Sequence, residues 1–217
     1  MNRDLELLVS RAFDGGLAPE HREDLRSKSG LTSQTIADSF IRSVPPGMIS
    51  RLLGFDLPSV RSALRFPYRS PAGGFMDHIR MKLFPPLTDA KGHSVKYLQP
   101  KRTTPRLYFV GTCLKRVLET DEPLWLCEGE KKTLAVAQFG KAAIGIAGVE
   151  GWHRRGEAHL LADFDEIPLM GRIVEVLPDG DVETNQAVRR AVDRLGDALA
   201  VRGAKPRLVH LPRELVR

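Results

Sequence analysis

From residue 121 onward, short apolar runs alternate with segments of helical periodicity, and this alternation restricts the fold of the 217-residue chain more than any other feature. Leu124 to Cys127, Ala142 to Ile146, Arg172 to Leu177 and Arg207 to Leu211 read as strands. Between them Lys131 to Phe139 reads as a helix, and Glu183 to Val201 as a second one, with Val188, Val192, Leu195 and Leu199 recurring on one face. Strands joined through helices cannot pair as hairpins. The pattern predicts a parallel four-stranded sheet, flanked by helices and built with right-handed crossovers.

Upstream the pattern is different. Glu20 to Ser27 and Ser33 to Phe40 read as two short helices, the second capped by the hydroxyls of Leu31-Thr32-Ser33. Residues 45–59, with Pro45, Pro46, Gly47, Gly54 and Pro58, read as loop. Leu64 to Tyr68, Phe75 to Leu83, Val95 to Leu98 and Arg106 to Val110 are β-prone runs between turn clusters such as Ser70-Pro71-Ala72-Gly73-Gly74, the signature of a small antiparallel, mixed subdomain. The chain is therefore α/β, or α+β taken overall, in three parts. A helical lead-in spans 1–59, a small basic mixed α/β subdomain 60–120, and the parallel sheet with its helices 121–217.

The formal net charge of +6 is unevenly spread. Residues 1–59 carry 7 basic and 8 acidic groups, residues 60–120 carry 12 and 3, and residues 121–217 carry 14 and 16. The basic middle block, which includes Arg80, Lys82, Lys96, Lys101, Arg102 and Arg106, suits a polyanion such as nucleic acid or nucleotide phosphate, although an ordinary solvated basic face reads the same way. With 42% hydrophobic residues the chain can build a core. Its longest apolar stretch, Ala142 to Val149, falls far short of the ~20 residues of a spanning helix, and Met1-Asn2-Arg3-Asp4 opens no signal peptide. A cytoplasmic location with no membrane partner is expected. Two cysteines, Cys113 and Cys127, exclude a four-thiolate zinc site and are expected to be reduced.

Ligands of a parallel sheet gather outside the carboxyl ends of its strands, and two acidic motifs fall there. Glu128-Gly129-Glu130 follows the first strand of the alternating region, and Asp179-Gly180-Asp181 the third. Either motif alone is ordinary turn chemistry. Together they predict that Glu128, Asp179 and Asp181 converge, which repulsion would disfavour unless a cation lay between them. Mg²⁺ or Mn²⁺ suits such carboxylate oxygens. Glu128-Gly129-Glu130-Lys131-Lys132-Thr133 is not a P-loop, because Lys131 stands where that motif needs glycine immediately before its lysine.

These residues resemble the toprim module shared by DnaG-type primases, topoisomerases and some nucleases. Glu128-Gly129 before a helix with Ala135, and Asp179-Gly180-Asp181 before another, are similar to its acidic motifs. Leu25 to Val44, Phe66-Pro67-Tyr68 through Leu83, and Lys96-Tyr97-Leu98-Gln99-Pro100 resemble the upstream part of the DnaG-type bacterial primase catalytic core. Gly148-Val149-Glu150-Gly151-Trp152 and Thr184-Asn185 resemble toprim-like domains of plasmid, phage and mobile-element replication proteins. The resemblance implies a toprim-like sheet and metal-dependent synthesis of short RNA primers. It implies single-stranded DNA template and NTPs as partners, and a replicative helicase as a further one. Glu128, Asp179 and Asp181 would then be the catalytic and metal-binding carboxylates. Arg80, Lys96, Lys101, Arg102, Lys131 and Lys132 would contact nucleic acid or NTP, and Tyr97 or Trp152 could stack on a base. Lys132 stands where the DnaG-type motif has an aspartate. A toprim nuclease acting through the same carboxylates, and a DNA-binding module with little catalytic power, stay open as alternatives.

Overall fold

A computed structural model of the chain describes residues 16–209, which form two compact units. The first comprises the described residues through Tyr68 together with Phe75–Thr103; the second comprises Arg69–Gly74 and the chain from Thr104 onward.

The first unit carries helices α1 (Pro19–Arg26), α2 (Ser33–Asp38) and α3 (Pro46–Leu53). Its strands β1 (Arg42–Val44), β2 (Ser62–Arg69, of which Arg69 counts with the second unit), β3 (Phe75–Thr88) and β4 (Ser94–Leu98) form a sheet in that order. β1–β2 and β3–β4 are antiparallel. Thr32 caps α2 as its sequence predicts, its hydroxyl accepting from the Thr35 N–H at 3.1 Å. The loop expected over 45–59 is instead largely helix. Pro46 sits at the first helical position, where a missing N–H costs nothing, and Gly54 closes α3 in the left-handed conformation at φ 80°. What reads as a run of breakers is thus a start and a stop signal, and Ile49, Leu52 and Leu53 between them enter the core with Val44, Ile79, Met81 and Leu83.

The second unit holds a mixed sheet ordered β5-β7-β6-β8-β9, made of β5 (Tyr108–Phe109), β6 (Leu124–Glu128), β7 (Ala142–Ile146), β8 (Ile173–Leu177) and β9 (Lys205–Leu208). Helices α4 (Leu114–Glu119), α5 (Glu130–Ala137) and α6 (Gln186–Val201) accompany it. The four parallel strands are those predicted, with β9 centred a little earlier; residues 210 and 211 of its predicted range lie outside the described residues. The fifth corrects the expectation: Tyr108–Phe109 pairs antiparallel with β7 rather than joining the upstream sheet. A two-residue strand has no periodicity to declare its partner. All five residues of β7 are buried, and Gly145 is glycine for a steric reason: a Cβ there would lie 2.4 Å from Thr133 Oγ1 of α5 and 3.2 Å from Tyr108 Cβ. α6 buries Ala191, Val192, Leu195 and Leu199, three of them on the stripe read from the sequence. Among the described residues no helix is long and apolar enough to cross a membrane.

Candidate functional site

The first strand of the parallel set, β6, lies between β7 and β8, so the chain moves to one side of it and then to the other. Such a reversal opens a crevice beyond the carboxyl ends of the strands, because the connecting segments leave in opposite directions. The register brings two predicted residues there. Cys127 pairs with Leu177, so Glu128 ends β6 beside Pro178, with Asp179 next along the chain. Glu128 Oε2 accepts the Asp179 backbone N–H at 2.9 Å. The strand end is turned by Gly129 at φ 87°, which caps α5 and donates to Ile146 O at 2.9 Å. Glu130, the other acid of the first motif, points elsewhere: it is 2% exposed and belongs to the interior of α5's first turn.

Lys132 enters the site from α5. Its Nζ donates to Asp179 Oδ1 at 2.5 Å and to Pro178 O at 2.8 Å. Gly180–Glu183 form a 3-10 turn that contains Asp181, whose side chain lies outside what is described. Asn185 then caps α6, its side-chain oxygen accepting from the N–H groups of Ala187 and Val188. Among the described residues no group of three or more His, Cys, Asp or Glu side chains is gathered to hold a metal ion. The described carboxylates of Glu128 and Asp179 nonetheless offer the hard oxygen donors that Mg²⁺ or Mn²⁺ prefers, and Asp179 already holds a cation, the Lys132 ammonium. The donor chemistry fits a divalent ion, with lysine as its rival.

The loop after β7 supplies a feature that periodicity does not show. Glu150 accepts from Arg194 of α6 and meets His153 Nε2 at 3.0 Å, so the loop is tied to the helix. Burial pushes the Glu150 carboxyl up, but the bonds from His153 and Arg194 outweigh it and leave the group below its ordinary value. The long sequence separation of Glu150 and Arg194 hides this pair from any local pattern. Trp152, a candidate for base stacking, is 2% exposed and packs on the His153 ring at 4.2 Å, so it anchors the loop and cannot receive a base. Cys113 and Cys127 are buried and unbridged; burial pushes the Cys127 thiol up to about 12, which removes it as a nucleophile.

The basic candidates of the first unit lie on its sheet and adjoining turn. Lys96 is exposed on β4, and Arg80 of β3 lies over the Tyr97 ring at 5.2 Å. Lys101 and Arg102 are exposed in the turn after β4, where the Lys101 N–H donates to Leu53 O at 2.8 Å. Lys131 is half-buried on α5. Other members of the basic block do structural work: Lys82 pairs with Asp24, and Arg106 holds the buried Asp163 through both Nε and Nη2. The basic block is thus less of a binding surface than its charge suggests.

Several solved structures that share this fold are primases. The RNA polymerase and zinc-binding domains of the Aquifex aeolicus primase superpose with a TM-score of 0.62 at 16% identity, covering 98% of this chain and 56% of that one. A DnaG catalytic core gives 0.62 at 20% identity, covering 96% and 70%. The fold is that of the DnaG-type primase catalytic core. The RNA polymerase domain of Mycobacterium tuberculosis DnaG, in complex with double-stranded DNA, gives 0.62 at 13% identity, covering 97% and 71%. The chain spans little more than half the length of the Aquifex aeolicus structure. Residues 113–216 match a family described as a domain of unknown function (DUF3854). No curated protein matches the chain by sequence.

Proposed function

We propose that the protein is a primase-like nucleotidyltransferase, making short RNA primers on single-stranded DNA in the replication of a plasmid, phage or other mobile element. The observation that carries this reading is the pair Glu128 and Asp179, set side by side where the strand order reverses in a DnaG-type fold. In the reaction the 3′-oxygen of a ribonucleotide forms a bond to the α-phosphorus of an incoming NTP. The bond from that phosphorus to pyrophosphate breaks, and the hydroxyl proton is lost. Glu128, Asp179 and Asp181 would hold Mg²⁺ or Mn²⁺, which when bound supplies charge stabilisation for the developing phosphoryl oxyanions. The rigid strand ends fix the carboxylates: Glu128 is the last residue of a strand paired on both sides, and its hydrogen bond to the Asp179 N–H sets the spacing of the two exits. Lys96 and Arg80, with Lys101, Arg102 and Lys131, would hold template or triphosphate as point charges and donors.

The test is incubation with single-stranded DNA, labelled NTPs and Mn²⁺, beside an Asp179→Ala/Asp181→Ala variant. Oligoribonucleotides made by the intact protein and lost at least about a hundredfold in the variant support priming. Shortened DNA instead identifies a nuclease, and binding without either product identifies a DNA-binding module.

A further inference from the structure

Lys132 is the third residue of α5, and its position is determined by its neighbours. Thr133 and Leu134 are buried, and Thr133 Oγ1 donates to Gly129 O at 2.8 Å, so the first turn of the helix is locked to the strand end that carries Glu128. From there the Lys132 side chain, 21% exposed, reaches the exit of β8 and donates to a backbone carbonyl and a carboxylate, Pro178 O and Asp179 Oδ1. Carbonyl and carboxylate oxygens are what a hard metal ion also selects. A protonated lysine cannot ligate a metal, and a dication brought to Asp179 would be repelled by an ammonium already bonded there. The two cations therefore compete for one carboxylate.

Building on the metal reading above, we propose that Lys132 is a built-in competitor that gates divalent-metal entry at Asp179, so that a metal seats only when the ammonium lets the carboxylate go. The pair is suited to opening: Asp179 is 61% exposed, and an ion pair open to water on that scale is held by little net energy. Lys132 is in this sense a positioning residue that acts through Asp179.

The experiment is an Mn²⁺ titration of the full chain, followed by loss of the free-ion EPR signal, for the wild type, Lys132→Gln, Lys132→Arg and each of these with Asp179→Asn. Melting curves of every variant confirm folding. Lys132→Gln should bind Mn²⁺ about tenfold more tightly than the wild type, Asp179→Asn should abolish the gain, and Lys132→Arg should stay near the wild-type value. Equal affinity of wild type and Lys132→Gln, with binding still dependent on Asp179, overturns the gate and leaves the metal reading standing. A gain that survives Asp179→Asn overturns the gate as well, since the charge would then act elsewhere. Absence of any Asp179-dependent binding in every variant overturns the metal reading and the gate with it.

Discussion

Among the described residues, two lysine–aspartate pairs can be compared that have identical chemistry in opposite surroundings. Lys82 of β3 and Asp24 of α1 meet inside the first unit with side chains 14% and 6% exposed; Lys132 of α5 and Asp179 meet in the second unit at 21% and 61%. The buried pair is fixed by what surrounds it. Asp24 lies near the buried His21, whose Nδ1 bonds Ser43 Oγ at 2.7 Å and whose Nε2 bonds Ser62 Oγ at 3.0 Å, while the Lys82 ammonium lies 5.1 Å from the centre of the Phe84 ring. Little of either side chain is open to water there. The open pair faces solvent on its carboxylate side, so either group can exchange its partner at small cost. The same two residue types thus serve as a structural tie in one place and as an adjustable contact in the other, and dielectric surroundings make the difference.

The comparison can be broken in three ways. Asp24→Ala should destabilise the first unit by about 3 kcal/mol in urea denaturation, because it strands a largely buried ammonium; a loss under about 1 kcal/mol would mean that this pair is no tighter than the open one. A smaller effect should come from acid. Burial holds the His21 pKa below its ordinary value, only partly offset by Glu20 and Asp24, with Lys82 lowering it further. The folded protein therefore resists a proton that the unfolded chain accepts near about pH 6.5, so this contribution is intact above that pH and declines as pH falls below it. The urea midpoint should drop between about pH 7 and 5, and His21→Gln should flatten that slope. The smallest change is expected for the open pair: Lys132→Gln should alter stability by less than about 1 kcal/mol while still changing metal affinity. A large loss of stability there would make Lys132 a structural residue like Lys82.

A separate measurement sharpens the account of the basic block. Neutralising Lys96 and Arg80 together should weaken binding to single-stranded DNA and reduce the salt slope by about 0.7 for each phosphate that no longer has a cation against it. An unchanged slope would assign these residues to the protein surface alone. Arg80 is the more informative of the two, since its guanidinium already lies on Tyr97 and its removal also alters that ring's setting.

Much of the second unit is legible in the sequence because its strands are short, apolar and separated by helices, so the topology follows from connection rules. The ends of β6 and β8 carry their acids in plain view, and the register then places Glu128 beside Asp179. The helix Pro46–Leu53 reads as loop because Pro and Gly mark both loops and helix ends, and only the packing of Ile49, Leu52 and Leu53 distinguishes the two. Trp152 reads equally as a stacking platform or an anchor; its burial against His153 depends on a loop whose path no local pattern encodes.

The sequence by itself determined the four parallel strands and the two acidic strand ends, since both are a matter of order and periodicity along one chain. Only the tertiary structure decided which charges are committed. Lys82, Arg106 and Arg194 find their carboxylates 58, 57 and 44 residues away, Lys132 finds its own 47 residues away, and a charge count contains no such distances. Whether a lysine is a tie, a gate or a hand for phosphate depends on the partner and the dielectric that folding brings to it.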